Sequence, residues 1–184
     1  MTAIVLPERI VEVARSWIGT PYHHQASLKG VGCDCLGLIR GVWREVYGAE
    51  HEQIPPYSMD WAEASKRETL YEGAKRYLLE VDITHPLRGK GVERVQVGDI
   101  VLFRMKEKGP AKHCGFVATD GKQRTLIHAY SGGYKVREEP LTLAWALRAA
   151  YAFRFPDAAE YGEKLSEGVP KFDEPRFAAP GEEG

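Results

Sequence analysis

The chain has 184 residues, 43% of them hydrophobic and 28% charged, enough apolar material for one globular domain with its own core. A formal net charge of −1 removes the broad electrostatic case for a nucleic-acid or membrane-surface partner. Three cysteines are an odd number and too few for a disulfide framework, and no apolar run approaches the ~20 residues that cross a bilayer.

The first residues carry no basic start followed by an apolar stretch, so the expectation is synthesis in the cytoplasm without a cleaved signal. Residues 7–18 read as a helix. Pro7 suits the first turn, Glu8 suits the dipole, and Ile10, Val13, Ala14 and Trp17 share a face. Gly19-Thr20-Pro21 ends it, and a polar, Gly-rich loop over residues 22–34 follows. A second helix opens at Cys35, with Leu38, Ile39, Val42, Trp43, Val46 and Tyr47 at three- and four-residue steps and Gly48 as its stop. Ile54-Pro55-Pro56 breaks the chain. A long helix is expected over residues 60–80, with Asp60 and Glu63 spaced as a capping box; residues 82–94 read as loop.

The period then changes. Residues 100–104, 113–119, 124–130 and 134–137 read as strands, 141–148 as one short helix and 150–155 as a last strand. Helices first and a strand meander after them predict an α+β fold, with the helices packed on an antiparallel sheet. The expected domain spans residues 1–155. Residues 156–184 are rich in Pro, Gly, Glu and Ala and cannot bury enough apolar surface to fold alone. They read either as a disordered tail or as an arm that docks Tyr161, Phe172 and Phe177 on a partner.

Two features carry chemistry. Cys35 stands where a loop meets a helix N-terminus, and the dipole and unpaired N–H groups there favour thiolate, the nucleophilic form. The same residue can also be read as a small buried apolar side chain. The second feature is His113 with His128. If Asp120-Gly121 forms a two-residue hairpin turn, His113 lies directly opposite His128 and the two imidazoles share a face. A thiolate, a base within hydrogen-bond reach and a group that orients the base make a nucleophilic site. Cys33, Cys35, His113, Cys114 and His128 are also of zinc-ligand type, but Cys33-x-Cys35 is tighter than the usual ligand spacing, and Cys114 points to the opposite strand face from His113. No metal and no cofactor is therefore expected. Cys33 and Cys114 read as structural, and His51 and His85 as ordinary loop residues.

Together these stretches resemble a known family. Ala14-Arg15-Ser16-Trp17-Ile18-Gly19-Thr20-Pro21-Tyr22 is similar to the opening helix and G-x-P-Y loop of the NlpC-type cysteine peptidases, papain-like enzymes that cut cell-wall peptides. Asp34-Cys35-Leu36-Gly37-Leu38 resembles their D-C-S-G-L nucleophile motif, and Val97-Gly98-Asp99-Ile100-Val101-Leu102-Phe103 their P-G-D-L-V-F-F strand. His113-Cys114-Gly115-Phe116-Val117 and Ile127-His128-Ala129 resemble their two histidine strands. The resemblance implies a papain-like fold, with Cys35 as nucleophile, His113 as general base and His128 as orienter. It places Tyr22 and Asp34 at oxyanion- or substrate-binding positions, although Asp34 can equally brace the loop, and it lets Gly37 permit close packing at the helix start. The implied substrate is a peptidoglycan stem peptide cut at the D-glutamyl–diaminopimelate bond.

Leu36 departs from the family's Ser, and His23-His24-Gln25 departs from its Gly-rich turn. With Gly30-Val31-Gly32-Cys33, these variations are similar to a subgroup encoded with phage and gene-transfer-agent tails. That similarity implies carriage to the wall on a phage-like tail, with residues 156–184 tethering the enzyme to a tail-hub or tail-tip protein. Two other readings stay open: a tail component with little catalysis, and a papain-like acyltransferase or amidase.

Overall fold

The computed structural model describes residues 6–48, 50, 54, 57, 67–85, 89–157 and 160. Helix α1 (Pro7–Arg15) has Pro7 in its first turn and Arg15 in its last, and buries Ile10, Val11, Val13 and Ala14. It stops short of the expected residue 18. Ser16 turns its hydroxyl back onto the Val13 carbonyl at 2.5 Å, a local bond that competes with helix continuation. Trp17 is still buried, on the turn beyond the helix. Two short strands, β1 (Ser27–Leu28) and β2 (Gly32–Cys33), form a small hairpin that the sequence reading took as loop. Helix α2 (Cys35–Tyr47) follows, ended by Gly48 at φ 91°. It buries Leu38, Ile39, Val42 and Trp43.

Of the helix expected over residues 60–80, residues 60–66 lie outside the described residues, and within the rest the helix is α3 (Thr69–Tyr77). Glu68 is not helical, at φ −81° and ψ 53°, because its carboxylate accepts from Ala111 N at 2.9 Å and pairs with Arg104. Tying that side chain to the sheet sets the start of the helix. At the other end, β3 (Leu79–Val81) leaves the helix to pair with the last strand, and ladder bonds override helical propensity. The Asp60–Glu63 capping box lies outside the described residues, as do His51 and residues 161–184. Part of the 82–94 loop is a 3-10 turn, Lys90–Arg94.

The main sheet contains β4 (Ile100–Arg104), β5 (Ala111–Thr119), β6 (Arg124–Tyr130), β7 (Lys135–Pro140) and β8 (Ala149–Arg154), with α4 (Leu143–Ala146) before the last strand. Its order is β3-β8-β4-β5-β6-β7, and every pairing is antiparallel. Strands β4 to β7 form the meander, while β8 returns across it to lie beside β4. One face, with Leu102, Cys114, Phe116, Ile127, Ala129 and Phe153, packs on α1 and α2. The other, with Val101, Phe103, Val117, Leu126 and Ala152, is covered by Val95 and Trp145. The fold is thus α+β, with helices on an antiparallel sheet.

The β5–β6 register differs from a two-residue turn. Thr119 pairs with Arg124, so the loop has four residues. The Asp120 carboxylate accepts from Lys122 N and Gln123 N, both at 2.8 Å, and this side-chain-closed loop outcompetes the tighter turn. The register therefore shifts by two. Because side chains alternate with period two, His113 and His128 keep a common face but become diagonal rather than direct neighbours.

A buried ion pair fastens β8 to β4. Arg154 grips Asp99 through Nε–Oδ1 at 2.7 Å and Nη2–Oδ2 at 2.8 Å, and Gln96 N donates to the same carboxylate at 2.8 Å. Asp99 is 1% exposed and Arg154 half-buried. Arg154→Ala leaves a buried carboxylate unpaired, so it should destabilise by about 2–4 kcal/mol, and at least as much as Asp99→Ala. The double variant should cost less than the sum of the two. Urea unfolding of the three proteins checks the order.

Candidate active site

The site begins with the cap of α2. Asp34 is extended, at φ −99° and ψ −172°, and its Oδ1 accepts from Gly37 N at 2.7 Å. Oδ2 accepts from Gln25 N at 2.7 Å and from the Tyr57 hydroxyl at 2.6 Å, with His24 Nδ1 at 3.5 Å. One carboxylate thus binds the preceding loop, the helix and Tyr57. Asp34 is 2% exposed, so its oxygens face protein donors. Burial and the nearby Cys35 raise its pKa, while the bonds from Tyr57, Gly37 and Gln25 work to lower it. A side chain at Gly37 would place its Cβ 1.9 Å from the Ala26 carbonyl oxygen, so loop and helix meet here backbone to backbone.

Cys35, the first residue of α2, is half-buried, with Sγ 4.0 Å from the Lys112 carbonyl. Its pKa is lowered well below the usual thiol value by a hydrogen bond with Cys114 and by the bond and charge of His113, against the opposing effect of burial. Cys114 moves the other way and stays a thiol, because its neighbour holds the negative charge. The sequence reading treated Cys114 as structural; the structure sets its thiol against the nucleophile candidate. A strand normally sends residues 113 and 114 to opposite faces. Here Phe103 pairs with His113 and Arg104 with Ala111, so Lys112 is an extra, bulged residue at the strand end. His113 and Cys114 keep regular register with Phe103 and Leu102, so Cys114 lies on the face that packs on α2 and His113 on the other, and both act on the sulfur at the start of α2. Cys33 is fully buried and its pKa is raised to about 12 by burial, then by Asp34 and Cys35; it is a thiol.

His113 and His128 are in contact, with His113 Nε2 at 2.8 Å from His128 Nδ1. His113 Nδ1 is then the ring nitrogen left for Cys35. Gly115 makes the diagonal contact possible, since a Cβ there would meet His128 Cβ at 2.9 Å and the Ile127 oxygen at 2.9 Å. Phe103, Tyr130 and Trp145 surround the pair, with ring centroids 5.0–6.2 Å apart among the five rings. His128 is completely buried. Burial, then the charges of His113 and Arg137, lower its pKa to about 3, so it is neutral at physiological pH. Beyond it lies Glu139, with Oε1 at 3.3 Å from His128 Nε2.

Tyr22 lies beside β2, with its N–H donating to the Tyr134 carbonyl at 2.7 Å. Burial and then the Cys35 charge raise its pKa to about 12, so it is a phenol able to donate. The five residues singled out in the sequence therefore fall in one region: Cys35 adjoins Asp34 and acts electrostatically on Tyr22 and His113, and His128 backs His113. Tyr57, Glu139 and Trp145 were missed. For Glu139 a signal existed: period-two alternation from Arg137, which faces His128, returns Glu139 to the same face. Tyr57 had none, because it follows a proline break and meets Asp34 only in space. His85 takes no part in these contacts. Among the described residues, no three His, Cys, Asp or Glu gather as a metal cage, and no helix is long and apolar enough to cross a membrane.

Neutral His128 links stability to pH. Unfolded, it takes up a proton near its ordinary pKa of 6.5; folded, it does so only near 3. The unfolded state binds more protons in between, so its contribution to stability is present above pH 6.5 and is lost on acidification. Between pH 6.5 and 5, where carboxylates hardly titrate, wild type should lose stability by up to ~1.4 kcal/mol per pH unit more than His128→Gln. Denaturant unfolding at both pH values measures the difference.

No family model and no curated protein matches the sequence. Solved structures do match the fold. An NlpC/P60 family protein from Bacillus cereus superposes with a TM-score of 0.55 at 21% identity; the match covers 84% of this chain and 41% of that one. The NlpC/p60 domain of the peptidoglycan hydrolase SagA gives 0.51 at 21%, over 82% of this chain and 100% of that domain. An N-acetylmuramoyl-L-alanine amidase from Bacteroides uniformis gives 0.57 at 12%, over 82% and 98%. The chain thus spans about two fifths of the first of these proteins and the whole length of the SagA domain. Helices on an antiparallel sheet, in this arrangement, are the papain-like fold of the NlpC/P60 proteins.

Proposed function

We propose that this protein is a cell-wall hydrolase that cuts a peptidoglycan stem peptide by a Cys35–His113–His128 cysteine-peptidase mechanism. The observation that carries the reading is the 2.8 Å contact between His113 Nε2 and His128 Nδ1, set beside a cysteine, at the first position of a helix, whose pKa is depressed. The NlpC/P60 fold and the peptidoglycan hydrolase and amidase among its structural neighbours support it. Cys35 thiolate attacks the substrate carbonyl, and the oxyanion meets the Cys35 backbone N–H and the Tyr22 hydroxyl, donors worth about 2.7–4 kcal/mol each. His113, as imidazolium, gives its Nδ1 proton to the leaving amine. It then takes a proton from the water that releases the thioester. Asp34 holds the backbone of Cys35 in place.

The bond proposed is D-glutamyl–diaminopimelate, on the strength of the motif resemblance. Carriage on a phage-like tail, with residues 156–184 tethering the protein to a hub or tip protein, is part of the same reading. It rests on the sequence variations at His23-His24-Gln25 and Gly30-Val31-Gly32-Cys33. Gram-negative sacculi should release fragments cut at the D-glutamyl bond, read by mass spectrometry, and Cys35→Ala and His113→Ala should fall to background. Cleavage between muramic acid and L-alanine would keep the hydrolase and replace the bond. Undiminished release by Cys35→Ala would remove the cysteine mechanism.

A further inference from the structure

The histidine pair needs an acceptor that the cysteine–histidine mechanism does not supply. His113 takes a proton from Cys35 through Nδ1, so its Nε2 carries a hydrogen in both the neutral and the charged ring. At 2.8 Å that hydrogen points at His128 Nδ1, which must therefore be the bare nitrogen. His128 is neutral and completely buried, so its one hydrogen sits on Nε2. Nε2 is itself buried and makes no well-aligned hydrogen bond. A buried N–H without an acceptor costs about 1–3 kcal/mol, and the other tautomer would free it only by breaking the contact with His113.

The acceptor within reach is the Glu139 carboxylate, with Oε1 at 3.3 Å from His128 Nε2. Glu139 lies on β7 opposite Leu126, diagonal to His128 and on the same face. It is not a loose surface acid. Trp145 Nε1 donates to Oε1 at 2.9 Å, and Arg137 Nε lies 3.1 Å from Oε2. Trp145 also packs edge-on against His128, with centroids 5.1 Å apart, so one side chain fixes both the carboxylate and the ring it faces. The distance suits a contact that tightens when His113 becomes an imidazolium, since catalytic hydrogen bonds are often long without substrate.

We propose that Glu139 is a positioning residue that holds His128 in its Nε2–H tautomer, extending the site to Cys35–His113–His128–Glu139. It acts through His128 and does not touch substrate. As a contribution to turnover this rests on the hydrolase reading above; as a statement about the tautomer it does not.

The test is nitrogen NMR of the full chain labelled at histidine, without substrate. In wild type, His128 Nδ1 should resonate as an unprotonated nitrogen and Nε2 as a protonated one. In Glu139→Leu, the two should move towards intermediate values as the Nδ1–H tautomer becomes populated. Glu139→Gln keeps an acceptor oxygen and should keep the wild-type pattern. On sacculi, kcat should fall about 10–100-fold in Glu139→Leu with little change in KM, the size of loss seen when the carboxylate orienting a functional histidine is removed; Glu139→Gln should recover most of it. A wild-type His128 protonated at Nδ1 overturns the proposal even if Glu139→Leu does not fold. So does a folded Glu139→Leu with the wild-type pattern. Absence of wild-type turnover would overturn the hydrolase reading and leave the tautomer result standing.

Discussion

A single buried carboxylate, Asp34, organises the reactive half of the molecule. Its two oxygens accept hydrogen bonds from Gly37 in the helix, Gln25 in the loop and Tyr57, a residue from a distant part of the chain. A helix N-terminus needs an acceptor for its free N–H groups, and a buried acceptor needs donors. Asp34 answers both needs and leaves the adjacent residue, Cys35, at a defined place on the positive end of α2. Tyr57 is driven further towards its phenol form by burial and by Asp34, which keeps it a donor to that carboxylate.

The opposite side of the site follows another logic. Cys35 meets β5 near its start, where a residue from each strand face, His113 and Cys114, acts on its sulfur. On the His113 side, aromatic rings exclude water from the histidines. Desolvation keeps His128 neutral, and a neutral imidazole can accept from His113 while donating onwards. On the Cys114 side, a buried thiol that stays protonated donates to the thiolate. The Cys35 sulfur and His113 thus stand between two neutral groups, Cys114 and His128.

The hairpin between the histidine strands shows how a wrong local prediction can preserve the right geometry. A two-residue turn and the observed four-residue loop differ by two in register. The pleat has period two, so the histidines share a face in either case. A one-residue error would have sent one ring into the core between sheet and helices. Gly115 then decides the contact, because only a residue without a side chain leaves room for His128 to approach His113.

The sequence alone determined the elements whose signals are local. The 3.6-residue stripe of α2 with its stop at Gly48, the short strand runs of β4 to β6 between turn residues, and Cys35 at a helix start all depend on near neighbours. So did the α+β class and the pairing of two histidines on one face. Tertiary structure decided what depends on distant partners. Glu68 broke the expected long helix because its carboxylate bonds Ala111, and residues 79–81 became strand because β8 offered ladder partners. Tyr57 reached Asp34 across a proline break. Cys114 met Cys35 because α2 packs on that face of β5, and Glu139 was brought to His128 by the β6–β7 register. Each is a contact formed only when the fold closes the distance, so periodicity could at most place a residue on a face, as for Glu139, and could not name its partner.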